Sequence, residues 1–139
     1  KVVTHSLMNQ VASNPQILQE ITPRQFEELV CELFEKEGNH VELTKQTRDG
    51  GKDLIILNNS SLGDFVIYAE CKKRAPKYPV NVGFVRELYG TVNADNATAG
   101  IMVTTSYFSR DARKYREKIK SRMSLIDYTE LMKRIMACK

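Results

Sequence analysis

The sequence predicts an α/β domain, with one mixed β-sheet of about five strands flanked by helices in the order αβββαβαβα. Three observations carry this. The hydrophobic period alternates between 3.6 and 2 along the chain. The first three strand-like runs are joined by short polar turns, as in an antiparallel meander. The later strand-like runs are separated by helix-length segments, as in parallel crossovers.

Length and composition set the frame. The 139 residues fit one domain with a core of its own, so no disulfide or zinc staple is required. Hydrophobic residues make up 42% and charged residues 27%, which excludes a disordered or fibrous chain. No apolar run approaches the roughly 20 residues of a membrane span. Cys31, Cys71 and Cys138 form neither a disulfide framework nor a CxxC zinc pair, and read as reduced thiols of a cytoplasmic protein. The chain opens on Lys1 without a visible signal peptide and reads as an excised domain. Residues 1–20 read as a helical N-terminal extension, with a short helix from about Leu7 to Ala12, and 21–139 as the main domain.

The elements follow in order. In "ITPRQFEELVCELFEKEGN", Thr22 is the N-cap, Pro23 sits at N1 and Gln25 completes a capping box. Ile21 staples onto Phe26, and Phe26, Leu29, Val30, Leu33 and Phe34 form an apolar stripe that stops at Gly38. Val41 to Lys45 alternates as a strand, and "TRDGGKD" is a turn. "DLIIL" and "FVIYAECKK" form a hairpin across the loop "NNSSLGD". After "RAPKYP", residues Val82, Val85, Leu88, Tyr89 and Val92 recur at helical spacing. "AGIMVTT" is a buried strand, "SRDARKYREKIKSR" a basic helix capped by Ser109, "SLIDY" a short strand and "TELMKRIMA" a closing helix.

Chemistry concentrates at the end of "VIYAECKKR". Glu70 and Lys72 are two apart, so a strand aims them to one face. The hairpin brings the start of "DLIIL", and with it Asp53, beside them. Gly50 and Gly51 let a backbone or a phosphate approach this corner. Two neighbouring carboxylates repel unless a cation intervenes. Oxygen ligands suit Mg²⁺, which accepts one or two carboxylates and keeps positions for water and phosphate. Such an ion lowers the pKa of a bound water, and a nearby lysine stabilises developing charge. Asp53, Glu70 and Lys72 are therefore the parts needed for phosphodiester hydrolysis, although a plain buried ion-pair cluster has the same composition. Glu27 flanks the apolar stripe of the first long helix and leans toward the same corner.

The net charge of +4 is compatible with a polyanionic partner, and its distribution says more. Lys72, Lys73, Arg74 and Lys77 form one basic cluster, and Arg110, Arg113 and Lys114 begin another along the basic helix. Thr104, Thr105 and Ser106, at the strand end before that helix, are candidates to bond backbone phosphates or simply to cap. Tyr78 and Tyr107 either stack on bases or fill surface gaps. His5 and His40 sit in no motif. No P-loop and no nucleophile elbow occurs.

The ordered pieces "FEELVCELFEKEG", "TRDGGKDLII", "YAECKKR", "VRELYGTVNADNATAGIMVTTSYFSRDA" and "LIDYTELMKRI" resemble the Mrr-type restriction endonucleases of the PD-(D/E)xK nuclease superfamily, from about Ile21 to Ile135. No single motif is specific, whereas their order and spacing are. The resemblance implies a restriction-endonuclease-like core over 21–139. It implies that Asp53 matches the metal-binding aspartate, Glu70 the second acid, Lys72 rather than Lys73 the motif lysine, and Glu27 the first-helix acid. It also implies Mg²⁺, or Mn²⁺ in its place, held by Asp53, Glu70 and the main-chain carbonyl of Cys71. Many Mrr-type members read QCK where this chain reads ECK, so a full carboxylate is kept here. The implied reaction is hydrolysis of DNA to a 5′-phosphate and a 3′-hydroxyl, with Lys73, Arg74, Thr105, Ser106, Arg110 and Arg113 on the nucleic acid. A double-strand break then needs a homodimer or two nicks, and a specificity domain can lie outside this chain. A Holliday-junction-type nuclease and a non-catalytic DNA-binding module are the competing readings.

Overall fold

The computed structural model describes residues 6–44 and 51–138. Helix α1 (Leu7–Ser13) starts at Ser6, whose side chain accepts from the Asn9 N–H, and buries Met8 and Val11. A single turn, α2 (Ile17–Glu20), follows and buries Leu18. The sequence reading missed it, because four residues after Pro15 are too few to show a helical period. Met8, Val11 and Leu18 share one core with the next helix, so the expected extension is packed into the domain.

Helix α3 (Pro23–Lys36) begins as its punctuation requires. The Gln25 N–H donates to Thr22 Oγ1 at 3.0 Å, and the Thr22 N–H donates to Gln25 Oε1 at 2.9 Å. This capping box satisfies two otherwise orphaned donors, and a cap of this kind contributes about 1 kcal/mol. The helix ends before Gly38, whose φ of +99° only glycine adopts without strain. Strand β1 (His40–Leu43) is one residue ahead of expectation, and the expected end at Lys45 lies outside the described residues. So do positions 47–50 of the expected turn.

Strands β2 (Leu54–Ser60) and β3 (Gly63–Lys72) form the hairpin, but it is longer than the sequence suggested. Asn58, Asn59 and Ser60 pair with Phe65, Asp64 and Gly63, which leaves only Ser61 and Leu62 as the turn. The polar run looked like a loop because no face of it is buried. It is a ribbon tip that outruns β1, which ends its pairing at Leu57, and the next strand, which begins pairing at Ile67.

Helix α4 (Val82–Ala94) is capped by Asn81, and β4 (Ala99–Thr104) runs parallel to β3. Helix α5 (Arg110–Lys118) is capped by Ser109 as expected. Strand β5 (Met123–Ile126) is shorter than "SLIDY", because Asp127 caps α6 (Tyr128–Ala137) by accepting from the Glu130 N–H at 3.0 Å. The sheet order is β1-β2-β3-β4-β5, antiparallel through β3 and parallel after it. The mixed five-strand α/β architecture is thus as predicted.

Two cores sandwich the sheet. Phe26, Leu29, Leu33, Leu131 and Ile135 from α3 and α6 pack with Ala69 on one face. Val85, Leu88 and Val92 of α4 pack with Tyr68, Met102 and Met123 on the other. Gly100 fits closely there, since a Cβ would stand 2.7 Å from Met123 Sδ and 3.0 Å from Val92 Cγ2 and would make them shift. Strict alternation along β3 then aims Tyr68, Glu70 and Lys72 at the α4 face, and Ala69 and Cys71 at the α3 face.

Candidate active site

Asp53 stands at the mouth of the hairpin. Its N–H donates to Ala69 O at 2.8 Å, and its carbonyl accepts from the Thr44 N–H at 2.9 Å. Its carboxylate oxygen Oδ2 accepts from the Cys71 N–H at 2.8 Å. The side chain is therefore locked over the carboxyl end of β3 by the backbone between Glu70 and Lys72. Gly51, at φ +60°, turns the chain into this position.

Glu70 and Lys72 share a face, as their spacing required. Lys72 Nζ lies 3.7 Å from Glu70 Oε1 and 4.2 Å from the centre of the Phe84 ring. Glu70 is largely enclosed, with 17% of its side chain exposed. Burial raises its pKa to about 7; Lys72 opposes the rise, while Asp53 and Glu87 add to it. Burial, more than the neighbouring charges, sets this rise.

Glu27 reaches the same corner from α3. Burial first, then the Asp53 charge, raise its pKa, and Arg24 opposes the rise. Arg24 Nη1 donates to Glu27 Oε1 at 2.9 Å and to Thr44 O at 3.1 Å, tying α3 to the chain beside Asp53. The Cys71 thiol is pushed well up by burial, then by Asp53, Glu27 and Glu70, so it is a neutral SH wedged among acids. The four acidic and basic residues singled out in the sequence, Glu27, Asp53, Glu70 and Lys72, are brought together.

Three further residues belong to the corner and carried no recognisable signal in the sequence. Arg24 and Glu87 look like ordinary solvated helix charges, and Phe84 looks like core. Phe84, one turn into α4, provides the face on which both Lys72 and Arg74 lie, the latter at 5.6 Å. The segment entering Asp53 is fastened to the far end of α4. Lys52 Nζ is 3.4 Å from Asp95 Oδ2 and 4.5 Å from the Tyr68 ring centre, and the Tyr68 hydroxyl donates to the same carboxylate at 2.8 Å.

The expected phosphate contacts divide. Thr105 and Ser106 are corrected: both are fully buried, and their hydroxyls serve the chain itself. Thr105 Oγ1 donates to Arg74 O at 2.7 Å and accepts from the Arg74 N–H at 2.8 Å. Ser106 Oγ lies 3.1 Å from Pro76 O and 2.9 Å from Tyr78 O. Thr104 likewise donates to Lys72 O at 2.7 Å. These hydroxyls pin the loop after β3. Lys73 Nζ donates to Gln19 O at 3.1 Å, and Arg74 Nε donates to Tyr78 O at 3.1 Å, so both cations are half-buried braces. Arg110 and Arg113 are exposed on α5 and, with Lys114, form no ion pair among the described residues. They line an open groove of about 800 Å³ between α5, β5 and α6.

Among the described residues no three acidic, histidine or cysteine side chains are grouped closely enough to cage a metal by themselves. Mg²⁺ does not need such a cage, since one or two carboxylates with water and phosphate oxygen suffice. The donors are oxygen only, and Glu70 is a largely enclosed carboxyl that feels the Asp53 carboxylate, an arrangement that fits a hard divalent cation.

The sequence matches the Mrr-type catalytic-domain family of restriction endonucleases over residues 18–135. The chain belongs to this family. This Mrr-type domain is 28% identical over 112 residues to a Sinorhizobium fredii (strain NBRC 101917 / NGR234) protein designated y4cE, matching 79% of this chain and 28% of the relative. It superposes on the DNA modification-dependent restriction endonuclease AspBHI with a TM-score of 0.70, at 22% identity, over 99% of this chain and 39% of that one. The MspJI restriction endonuclease, solved with a 27-mer oligonucleotide, gives a TM-score of 0.65 at 22% identity over 96% of this chain and 32% of that one. These two likenesses show that the fold is that of restriction endonucleases. The Mrr-type domain thus spans between 28% and 39% of these three proteins. No helix among the described residues is long and apolar enough to cross a membrane.

Proposed function

We propose that this Mrr-type domain is a divalent-metal-dependent endonuclease that hydrolyses DNA phosphodiester bonds, of the restriction type. The observation that carries the reading is the convergence of Asp53, Glu70 and Lys72 at one sheet end. Lys72 Nζ lies 3.7 Å from a Glu70 carboxyl that burial holds near pKa 7.

Asp53, Glu70 and the main-chain carbonyl of Cys71 would hold Mg²⁺ or Mn²⁺. The ion, when bound, supplies positive charge against the scissile phosphate and acidifies water. Lys72 donates hydrogen bonds to the attacking water and to the phosphate charge that grows in the transition state. The Phe84 ring face holds the ammonium at 4.2 Å, beside Glu70. Glu27, with Arg24 on it, adds a carboxylate on the α3 side that accepts a proton or a water hydrogen. Arg110, Arg113 and Lys114 attract the phosphate backbone at the neighbouring edge of the sheet.

The test is cleavage of supercoiled plasmid in Mg²⁺ or Mn²⁺ at low salt, by wild type, Lys72→Ala and Asp53→Ala. Nicked or linear product from wild type alone is expected. A wild type that shifts DNA on a gel but cuts neither plasmid nor a four-way junction would sink the catalytic reading in favour of a binding module. Calorimetry adds a second arm. Mn²⁺ should bind wild type and not Asp53→Ala, whereas a plain ion-pair cluster would ignore the metal.

A further inference from the structure

A recess of about 230 Å³ opens beside the candidate active site, walled by Pro15, Gln16, Gln19, Pro76, Tyr107 and Tyr128. Its position follows from the topology. Pro76 lies past the carboxyl end of β3, Tyr107 past that of β4 and Tyr128 past that of β5. Glu70 and Lys72 end the same β3, so recess and acidic corner share the strand ends where ligands of parallel sheets bind. Lys73, next to Lys72, ties the third wall in place through its bond to Gln19 O.

The walls are rigid for a surface feature. Buried Ser106 bonds both Pro76 O and Tyr78 O, the Tyr128 N–H donates to Ser106 O at 2.8 Å, and the Val80 N–H donates to Tyr107 O at 2.8 Å. The Tyr107 and Tyr128 rings meet edge to face with centres 6.3 Å apart. The lining groups, by contrast, are uncommitted. Neither the Gln16 and Gln19 carboxamides nor the two phenol hydroxyls bond to any described residue. Tyr107 is 40% exposed, with one ring edge on Tyr128 and the rest of the ring open to the recess.

Aromatic and proline faces beside carboxamides that bond no described residue suit a flat heterocycle with alternating donors and acceptors on its edge. The volume is below the roughly 300–1,000 Å³ of sites for drug-sized ligands, so it admits one ring system and no base pair. We propose that this recess receives a single unstacked nucleobase of the bound nucleic acid, with Tyr107 stacking on it and Gln16 or Gln19 bonding its edge. The proposal deepens the nucleic-acid reading of the neighbouring corner and rests on it. It makes the domain favour strands in which one base is unpaired, frayed or extruded, since stacked bases cannot enter.

Fluorescence anisotropy tests it, with three labelled probes and Ca²⁺ in place of Mg²⁺. The probes are a paired duplex, the same duplex with one unpaired base, and that duplex with the unpaired base replaced by an abasic unit. Wild type should bind the unpaired-base duplex at least about fivefold tighter than the abasic one. Tyr107→Ala and a Gln16→Ala/Gln19→Ala double variant should lose that preference, while Tyr107→Phe keeps it. Circular dichroism melts establish that each variant is folded. Equal affinity of wild type for the unpaired-base and abasic duplexes overturns the proposal, as does a preference that survives Tyr107→Ala. A proline-rich peptide that displaces no probe yet protects Tyr107 from iodination would also overturn it and assign the recess to a protein partner. Plasmid nicking is scored in parallel. Nicking without base preference rejects the recess alone, and base preference without cleavage of plasmid or four-way junction rejects the endonuclease reading alone.

Discussion

At the scale of single residues, the corner is a balance of charge that substitution should tip predictably. Lys72 is the largest influence holding Glu70 down, so Lys72→Met should move the Glu70 carboxyl further up from about 7. A ¹³C titration of the labelled side chain reads this directly, and an unchanged midpoint would separate the two groups. The same raised pKa couples to stability. Between about pH 4.5 and 7 the folded protein binds a proton at Glu70 that the unfolded chain has lost. Metal-free stability should therefore fall as pH rises through this window, by an amount of about 3 kcal/mol at most. Glu70→Gln should remove that slope, and Mn²⁺ should oppose it in wild type; denaturant midpoints measured from pH 4 to 8 decide. Glu70, Lys72 and Asp53 were legible in the sequence because strand alternation and a short hairpin constrain where they point. Phe84 and Glu87 were not, because nothing in a helix's own period says which strand end its first turns will cover.

At the scale of elements, the loop after β3 is held by hydroxyls rather than by apolar packing. Thr105→Val removes both the donor and the acceptor that pair with Arg74's backbone, leaving buried polar groups unmatched. A loss of about 1–3 kcal/mol is expected in urea melts, with little change in DNA affinity. A large affinity loss at unchanged stability would instead restore Thr105 to the phosphate-binding set. Gly100→Ala should cost a similar amount by overpacking β4 against Met123 and Val92. The sequence left "TTS" open between phosphate contacts and capping, because serines and threonines at a strand end serve caps, braces and phosphates with the same chemistry. It misread "NNS" as a loop for a related reason. A strand buried on neither face has no period, whereas the capping box of α3 was legible because two named side chains satisfy two named backbone groups.

At the scale of the whole molecule, fold and family agree: the meander supplies Asp53 and Glu70, and α3 and the crossover helix α4 close on them from either face. The unpaired cations lie on α5, beside the last strand rather than beside Glu70. If they track phosphates, Arg110→Gln/Arg113→Gln/Lys114→Gln should lower the slope of log K against log salt by about 3. Cleavage at very low salt should survive. A slope that does not change would place the DNA elsewhere.

The β2–β3 ribbon points the other way. Its turn is Ser61–Leu62, with Leu62 90% exposed, at the opposite end of β3 from Glu70 and roughly 25 Å from it at strand rise. An insertion there touches neither core nor acids, and exposed turns are where inserted domains are tolerated. The hairpin is thus a natural graft point. A heterologous DNA-reading module spliced between Ser61 and Leu62 would steer the cutting end from behind, without the chain's own termini being altered.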